Sequence, residues 1–233
     1  MIHQQAAKIF LAEKRPAITE EGYRCLYAFR SSVETDVNAG CLEFVRDETF
    51  AGRMQVHMET EKDHIHLVLP VTGILSVERS RHVQHLVSAG ELLIIQSAGK
   101  NAFKFTNPYE QELINFLHIC FRLDAPVDEV MENAFDIHSG THPLVSLFTS
   151  RIPAFSTDRR SVRVLIGKFG GRTEGTHILQ EGCGIYALAI EGVFECQDRL
   201  LQAGDGLFLN RITEISFEAL SHDAILLLIE MPL

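Results

Sequence analysis

A chain of 233 residues can bury the core of one large β domain or of two smaller ones, so neither disulfides nor a structural metal is required for folding. Its 21 lysines and arginines stand against 31 aspartates and glutamates, and the net charge of -10 repels a phosphate backbone and an anionic membrane surface alike. Nucleic acid and membrane are therefore not expected as partners.

The first residues, MIHQQAAKIFLAEKRPAITEEG, carry charge early and lack the apolar core of a signal peptide. No run approaches the ~20 apolar residues of a membrane span. The five cysteines, Cys25, Cys41, Cys120, Cys183 and Cys196, are odd in number, scattered and free of any C-x-x-C pattern. That usage fits reduced thiols packed as small hydrophobes, and a cytoplasmic location is expected.

In chain order, RCLYAFRSS, GCLEFVRD, HIHLVLP, GILSVERS, ELLIIQ, AFKFTN and ELINFLHICFRLD are short alternating or apolar segments bounded by turn residues. After a break come VRVLIGKFGG, GIYALAIEG, VFECQDRLL, DGLFLN, EISFEA and AILLLIEMP. Strands of this length and spacing predict an all-β sandwich or barrel. A unit recurs: residues 65–95 and 184–209 both run strand, glycine turn, strand, loop, Ala-Gly-acidic, strand. Superposing Gly73 on Gly192 brings Ala89-Gly90-Glu91 close to Ala203-Gly204-Asp205, with five more residues in the first copy's loop. Two homologous β domains are expected, residues 1–123 and 161–233, with strands near 22–32 available to pack on the second. Residues 124–160 lose the alternation and read as a linker. Within it VDEVMENAF predicts a short helix, and Val145, Leu147 and Phe148 a second turn, with Pro143 and Pro153 as breaks.

The strand, glycine turn, strand, Gly-acidic plan resembles that of the cupin jelly roll, and two copies make a bicupin. More narrowly, GYRCLYAFRSS, GELLIIQSAGKNAFKFTNP, ELINFLHICFRL, VRVLIGKFGGRTEGT, QAGDG and DAILLLIEMP are similar to the pirin-like bicupins, a group that includes quercetin 2,3-dioxygenases. The resemblance implies two tandem jelly rolls. It also implies, in active members, a mononuclear metal in the first one, held by His-x-His and then by a His and a Glu from a later strand. Imidazoles bind a borderline cation, a carboxylate balances charge, and open positions admit substrate or dioxygen.

Residues 57–73, HMETEKDHIHLVLPVTG, are the natural place to look for that motif. Counting back from Gly73, the family's His-x-His falls on Glu59 and Glu61 rather than on His57, His64 or His66, while Lys104 stands for the third histidine and Thr106 for the glutamate. By that count the metal motif is degenerate and no metal is expected. One alternative keeps a metal: His64 and His66, which share a strand face, joined by His57 or Glu59, would hold a mononuclear transition metal (Fe, Mn, Ni or Cu). Another places the Lys104 ammonium where the cation would be, paired with Glu59 or Glu61.

The second half offers one histidine near its strands, His177, and no second metal site is expected there. His118 alternates with Phe116 and Cys120 and reads as a buried histidine with a partner. Gly-x-Ser-x-Gly and Gly-Lys-Ser/Thr are absent. The basic spot Arg79, Arg81, His82 and His85 reads as a solvated hairpin tip.

The leading reading is a pirin-like bicupin that has lost the family's metal and binds a small molecule or serves regulation, as a monomer or homodimer. Its ligand-pocket candidates are His57, Glu59, Glu61, His64, His66, Lys104 and Thr106. The runner-up is a metal-dependent dioxygenase or related oxidoreductase. A protein-binding role is the third class.

Overall fold

The computed structural model describes residues 7–31, 37–79, 83–122, 129–136, 144–151 and 161–233. The first strands are β1 (Ala7–Phe10), β2 (Ala17–Glu20), β3 (Tyr23–Arg30), β4 (Leu42–Phe50), β5 (Gln55–Thr60) and β6 (His64–Thr72). They are followed by β7 (Ile74–Arg79), β8 (Val83–Ser88), β9 (Glu91–Ser97), β10 (Asn101–Thr106), β11 (Ile114–Arg122) and β12 (Glu129–Ala134). The second series is β13 (Val145–Arg151), β14 (Ser161–Phe169), β15 (Glu174–Ile178), β16 (Cys183–Glu191), β17 (Phe194–Cys196), β18 (Arg199–Leu201), β19 (Gly206–Leu209), β20 (Glu214–Ala219) and β21 (Ala224–Pro232). A 3-10 turn at Ala12–Lys14 is the sole helical element among the described residues, and no helix there is long and apolar enough to cross a membrane.

Each half is a jelly roll made of two antiparallel sheets. In the first, the seven-stranded sheet β12-β9-β6-β11-β4-β3-β2 faces the four-stranded sheet β5-β10-β7-β8. The core between them is set by alternation: Phe50, Val68, Leu93, Ile95, Ile114 and Phe116 from the large sheet meet Leu75, Val77, Val87, Phe103 and Phe105 from the small one. The second half repeats the plan with β1-β19-β16-β21-β14-β13 and β15-β20-β17-β18, around Phe169, Ile185, Phe194, Ile215, Phe217 and Leu228.

The internal repeat is present in backbone detail. Gly73 and Gly192 have φ of 83° and 79°, and Gly90 and Gly204 both have φ of 90°, so each repeated turn needs the left-handed region that glycine enters without strain. The acidic residue after the second glycine has one task in both copies. Glu91 accepts the backbone N–H of Ser88 at 2.7 Å, and Asp205 that of Gln202 at 2.9 Å.

Three expectations are corrected. Part of the stretch predicted as a helix, VDEVMENAF, is the edge strand β12, pairing with β9 so that Val130 lies opposite Ile95. Unpaired groups along the β9 edge outweigh a weak helical preference. The second predicted turn is β13, where an irregularity between Ser146 and Phe148 lets both Leu147 and Phe148 be buried. Pro143, Pro153, Arg81 and His82 lie outside the described residues. Finally, β3 does not join the second domain: it pairs with β4 in the first, whereas β1 pairs with β19. The compact units are therefore interleaved rather than divided as 1–123, 124–160 and 161–233. One takes 16–30 and 42–135, the other 1–15, 31–41 and 136–233.

Candidate functional site

The small sheet of the first jelly roll decides which side chains face its interior. In β5 the pattern runs exposed at His57 and Glu59 and inward at Val56, Met58 and Thr60; in β10 Phe103 and Phe105 are buried while Lys104 and Thr106 turn the other way. The ladder sets Met58 opposite Phe103 and Val56 opposite Phe105. The inward seats of these two strands are thus thioether, methyl and phenyl groups, with two polar groups at one end, the Thr60 hydroxyl bonded to Ser97 at 2.7 Å and the Asn101 amide donating to the same Ser97 hydroxyl at 3.1 Å. This set does not fit a divalent cation, which asks for imidazole and carboxylate donors.

His57, Glu59 and Lys104 lie together on the outer face of that sheet, and Glu61 is exposed in the turn after β5. They do not line the interior, and Thr106 shares their direction on β10. Lys104 does pair with a carboxylate, at 2.5 Å, but that carboxylate is Glu78 of the neighbouring β7, half-exposed. The proposed pairing with Glu59 or Glu61 gives way to this contact. The direction, not the chemistry, was misjudged: a one-residue slip in a strand exchanges its faces.

His64 and His66 do face inward, with ring centroids 6.2 Å apart and planes 28° apart. His57 and Glu59 do not join them, and among the described residues no three of His, Cys, Asp and Glu are gathered to hold a metal. What His66 joins is a buried polar chain on the large sheet. Its Nδ1 lies 3.0 Å from Nε2 of His118, whose Nδ1 lies 3.2 Å from Oε1 of Glu48; the Tyr23 hydroxyl donates to Oε2 of Glu48 at 3.2 Å. Four strands supply these groups, β6, β11, β4 and β3, and His66, His118 and Glu48 are all at most 5% exposed. His118 was expected to be buried with a partner, and it is. Glu48 and Tyr23 were missed.

Burial, then the neighbouring His118, His64 and Arg46, holds the His66 imidazolium well below the ordinary histidine range. Burial, then Glu48, raises the Tyr23 hydroxyl far above its ordinary value and the Cys25 thiol up to about 11. At neutral pH His66 is therefore neutral and Tyr23 a donor. A histidine whose folded value lies below its unfolded 6.5 leaves the unfolded chain binding more protons, so stability present above that pH drains away as pH falls. The expected slope approaches about 1.4 kcal/mol per pH unit below about pH 6. Urea unfolding of the native chain and of His66→Phe between neutral and mildly acidic pH checks this: the difference between them should shrink as pH falls, and parallel curves would refute it.

The second jelly roll carries a different cluster. Glu230, 0% exposed, receives Nε2 of His177 at 2.7 Å, Nη2 of Arg163 at 2.6 Å and the backbone N–H of Gln180 at 2.8 Å. Every oxygen is engaged, which marks a structural lock rather than an open site. On its outside, a groove of about 400 Å³ is lined by Glu174, Glu195, Asp198 and Glu218, of which Glu218 is bridged to Arg172 at 3.1 Å. Such a groove repels anions. None of the five cysteines forms a disulfide.

Residues 159–231 match the family described as the quercetinase C-terminal cupin domain. No curated protein matches the chain. Among solved structures, YhhW from Escherichia coli shares 15% identity with a TM-score of 0.84, covering 97% of this chain and 98% of its own. A second structure, the bacterial pirin YhhW from Escherichia coli in complex with nickel(II), shares 17% identity with a TM-score of 0.81, covering 97% of this chain and 99% of its own. Quercetin 2,3-dioxygenase from Acinetobacter baumannii shares 14% identity with a TM-score of 0.75, covering 97% of this chain and 85% of its own. At these identities the likeness is one of fold. Two jelly rolls with the same repeated turns, a C-terminal stretch that matches the quercetinase C-terminal cupin domain and a whole-chain likeness to the structure of a bacterial pirin together give this chain a bicupin fold similar to that of the pirins.

Proposed function

We propose that this bicupin works without the metal of its enzymatic relatives, as a small-molecule-binding or regulatory protein whose ligand meets the first jelly roll. The observation that carries the reading is the donor set: Met58, Thr60, Asn101, Phe103 and Phe105 occupy inward seats of β5 and β10, and the two polar groups among them are bonded to Ser97. A cation seated there would gain no carboxylate and no imidazole from these strands. The solved pirin YhhW carries nickel(II), so retention of a metal in this chain is the reading to be tested against.

The test is elemental analysis of protein purified without chelators, with dioxygen uptake measured on a flavonol after incubation with iron, manganese, nickel or copper. Substoichiometric metal and no uptake are expected. One transition metal per chain, removed by His64→Ala, would overturn the proposal and install the dioxygenase reading.

A further inference from the structure

Two buried polar atoms on the inner wall of the first jelly roll have no hydrogen-bond partner among the described residues: Nε2 of His66 and Nε of Arg46. His66 is 5% exposed. Its Nδ1 is committed to His118. Glu48 accepts the proton on Nδ1 of His118, and in the arrangement where Nε2 of His118 accepts the proton on Nδ1 of His66, Nε2 of His66 is left as a bare lone pair. A buried lone pair calls for a donor.

Arg46 has the opposite need. Its guanidinium lies over the Phe44 ring at 4.0 Å and near the Tyr27 ring at 5.0 Å, and it makes no ion pair among the described residues. The ladder places both groups on one face: His118 is opposite Arg46, and Cys120 is opposite both Phe44 and His66. Arg46 and His66 thus stand two strands apart across β11, with Phe44 beside them, its ring 5.1 Å from His118 and 6.4 Å from His66. Phe105 approaches from the facing sheet, 5.9 Å from His118.

The wall therefore presents a cationic donor, a neutral acceptor and aromatic faces. A metal ion at His66 would meet the like charge of Arg46. An anion alone would leave the His66 lone pair unanswered, and a neutral hydroxyl compound would leave the guanidinium so. A molecule with a carboxylate, a hydroxyl and a flat ring between them answers all three. We propose that the inner wall of the first jelly roll binds a small hydroxyaryl acid, its carboxylate at Arg46 and its hydroxyl donating to Nε2 of His66. This rests on the metal-free reading above and gives it a ligand class.

The experiment uses the full chain, stripped of metal, with 2-, 3- and 4-hydroxybenzoate as probes, because the three isomers set carboxylate and hydroxyl at three different separations. Benzoate removes the hydroxyl and phenol removes the charge. Calorimetry should show at least one isomer binding about tenfold more tightly than both controls, the margin one well-placed hydrogen bond supplies. In His66→Phe that isomer should fall to the affinity of benzoate, and in Arg46→Met to that of phenol. Nitrogen-15 spectra of the unsubstituted protein give a readout independent of variant folding: Nε2 of His66 should be unprotonated when free and should shift on binding. No advantage of any hydroxybenzoate over benzoate, or a protonated Nε2, would overturn the proposal and leave only water at these atoms. Stoichiometric metal in the purified chain would defeat the metal-free reading instead, without altering the comparison of probes on the stripped protein.

Discussion

Glu230→Ala is expected to destabilise the chain by about 3 kcal/mol or somewhat more, the range for removing one partner of a buried ion pair. The carboxylate, on β21, ties β14, β15 and the segment after β15 together through Arg163, His177 and the Gln180 N–H. Without it, Arg163, whose Nε already lacks a hydrogen-bond partner, keeps only its bond to the Ile178 carbonyl at 3.2 Å. Arg163 reaches solvent with 29% of its side chain exposed, which holds the loss toward the lower end of that range. Glu230→Gln should cost less, since it still accepts from one neighbour. Urea unfolding checks both, and a loss under about 1 kcal/mol for Glu230→Ala would mean that hydration replaces the carboxylate, as it does for surface pairs. The same group fixes an acid limb. Burial pushes its value up, but His177, Arg163 and the Gln180 N–H together hold it below the ordinary 4.5. Its contribution is complete above about that pH and is lost as pH falls through the folded value, so the alanine variant should show a shallower acid limb.

The fold was legible because its signals are local. Gly73 and Gly192, Gly90 and Gly204, and the acidic residue after each of the latter are spaced alike in two halves, and each carries a backbone role that sequence spacing can transmit. Strand direction was less legible. The count from Gly73 put Glu59 and Glu61 in the inward seats, whereas the turn at residues 61–63, with Asp63 at a φ of 60°, delivers Met58 and Thr60 there. The resemblance carried the presence of a ligand-bearing strand but not its register to one residue, and one residue exchanges its faces.

Glu48 was hidden for a different reason. In LEFVRDETF, Glu43 and Asp47 fall on one face and Arg46 and Glu48 on the other, so alternation alone names no interior. The partner that makes Glu48 an interior residue, His118, is 70 positions away. A short-range pattern cannot show such a pair. Glu230 had a local mark, a single carboxylate inside the apolar run AILLLIEMP, and that mark is the kind of signal that a buried acid leaves. The two stretches expected as helix failed where tertiary pairing prevailed: β12 and β13 each complete a sheet edge, at β9 and β14.

Glu48→Ala should destabilise the first jelly roll by about 1–3 kcal/mol, because it removes the acceptor shared by buried His118 and the half-buried Tyr23 hydroxyl, and a buried polar group left unsatisfied costs about 1–3 kcal/mol. Its further consequence runs along the chain of rings. His118 without the carboxylate is free to place its proton on Nε2, and His66, 3.0 Å away, must then accept rather than donate at Nδ1, which transfers a proton to its Nε2. The variant should therefore invert the hydrogen-bonding character of the inner wall at His66 while leaving Arg46 in place. A double-mutant cycle of Glu48→Ala with His118→Phe should show a coupling of about 1–3 kcal/mol, since the pair share one bond that neither variant can lose twice. Additivity within about 0.5 kcal/mol would show that the two residues are not held in one network, and the orientation of His66 would then need another cause. If coupling is found but the tautomer of His66 is unchanged in nitrogen-15 spectra of Glu48→Ala, the packing of Phe44 and Phe105 against the His118 ring, at 5.1 Å and 5.9 Å, fixes the imidazoles more strongly than the carboxylate does.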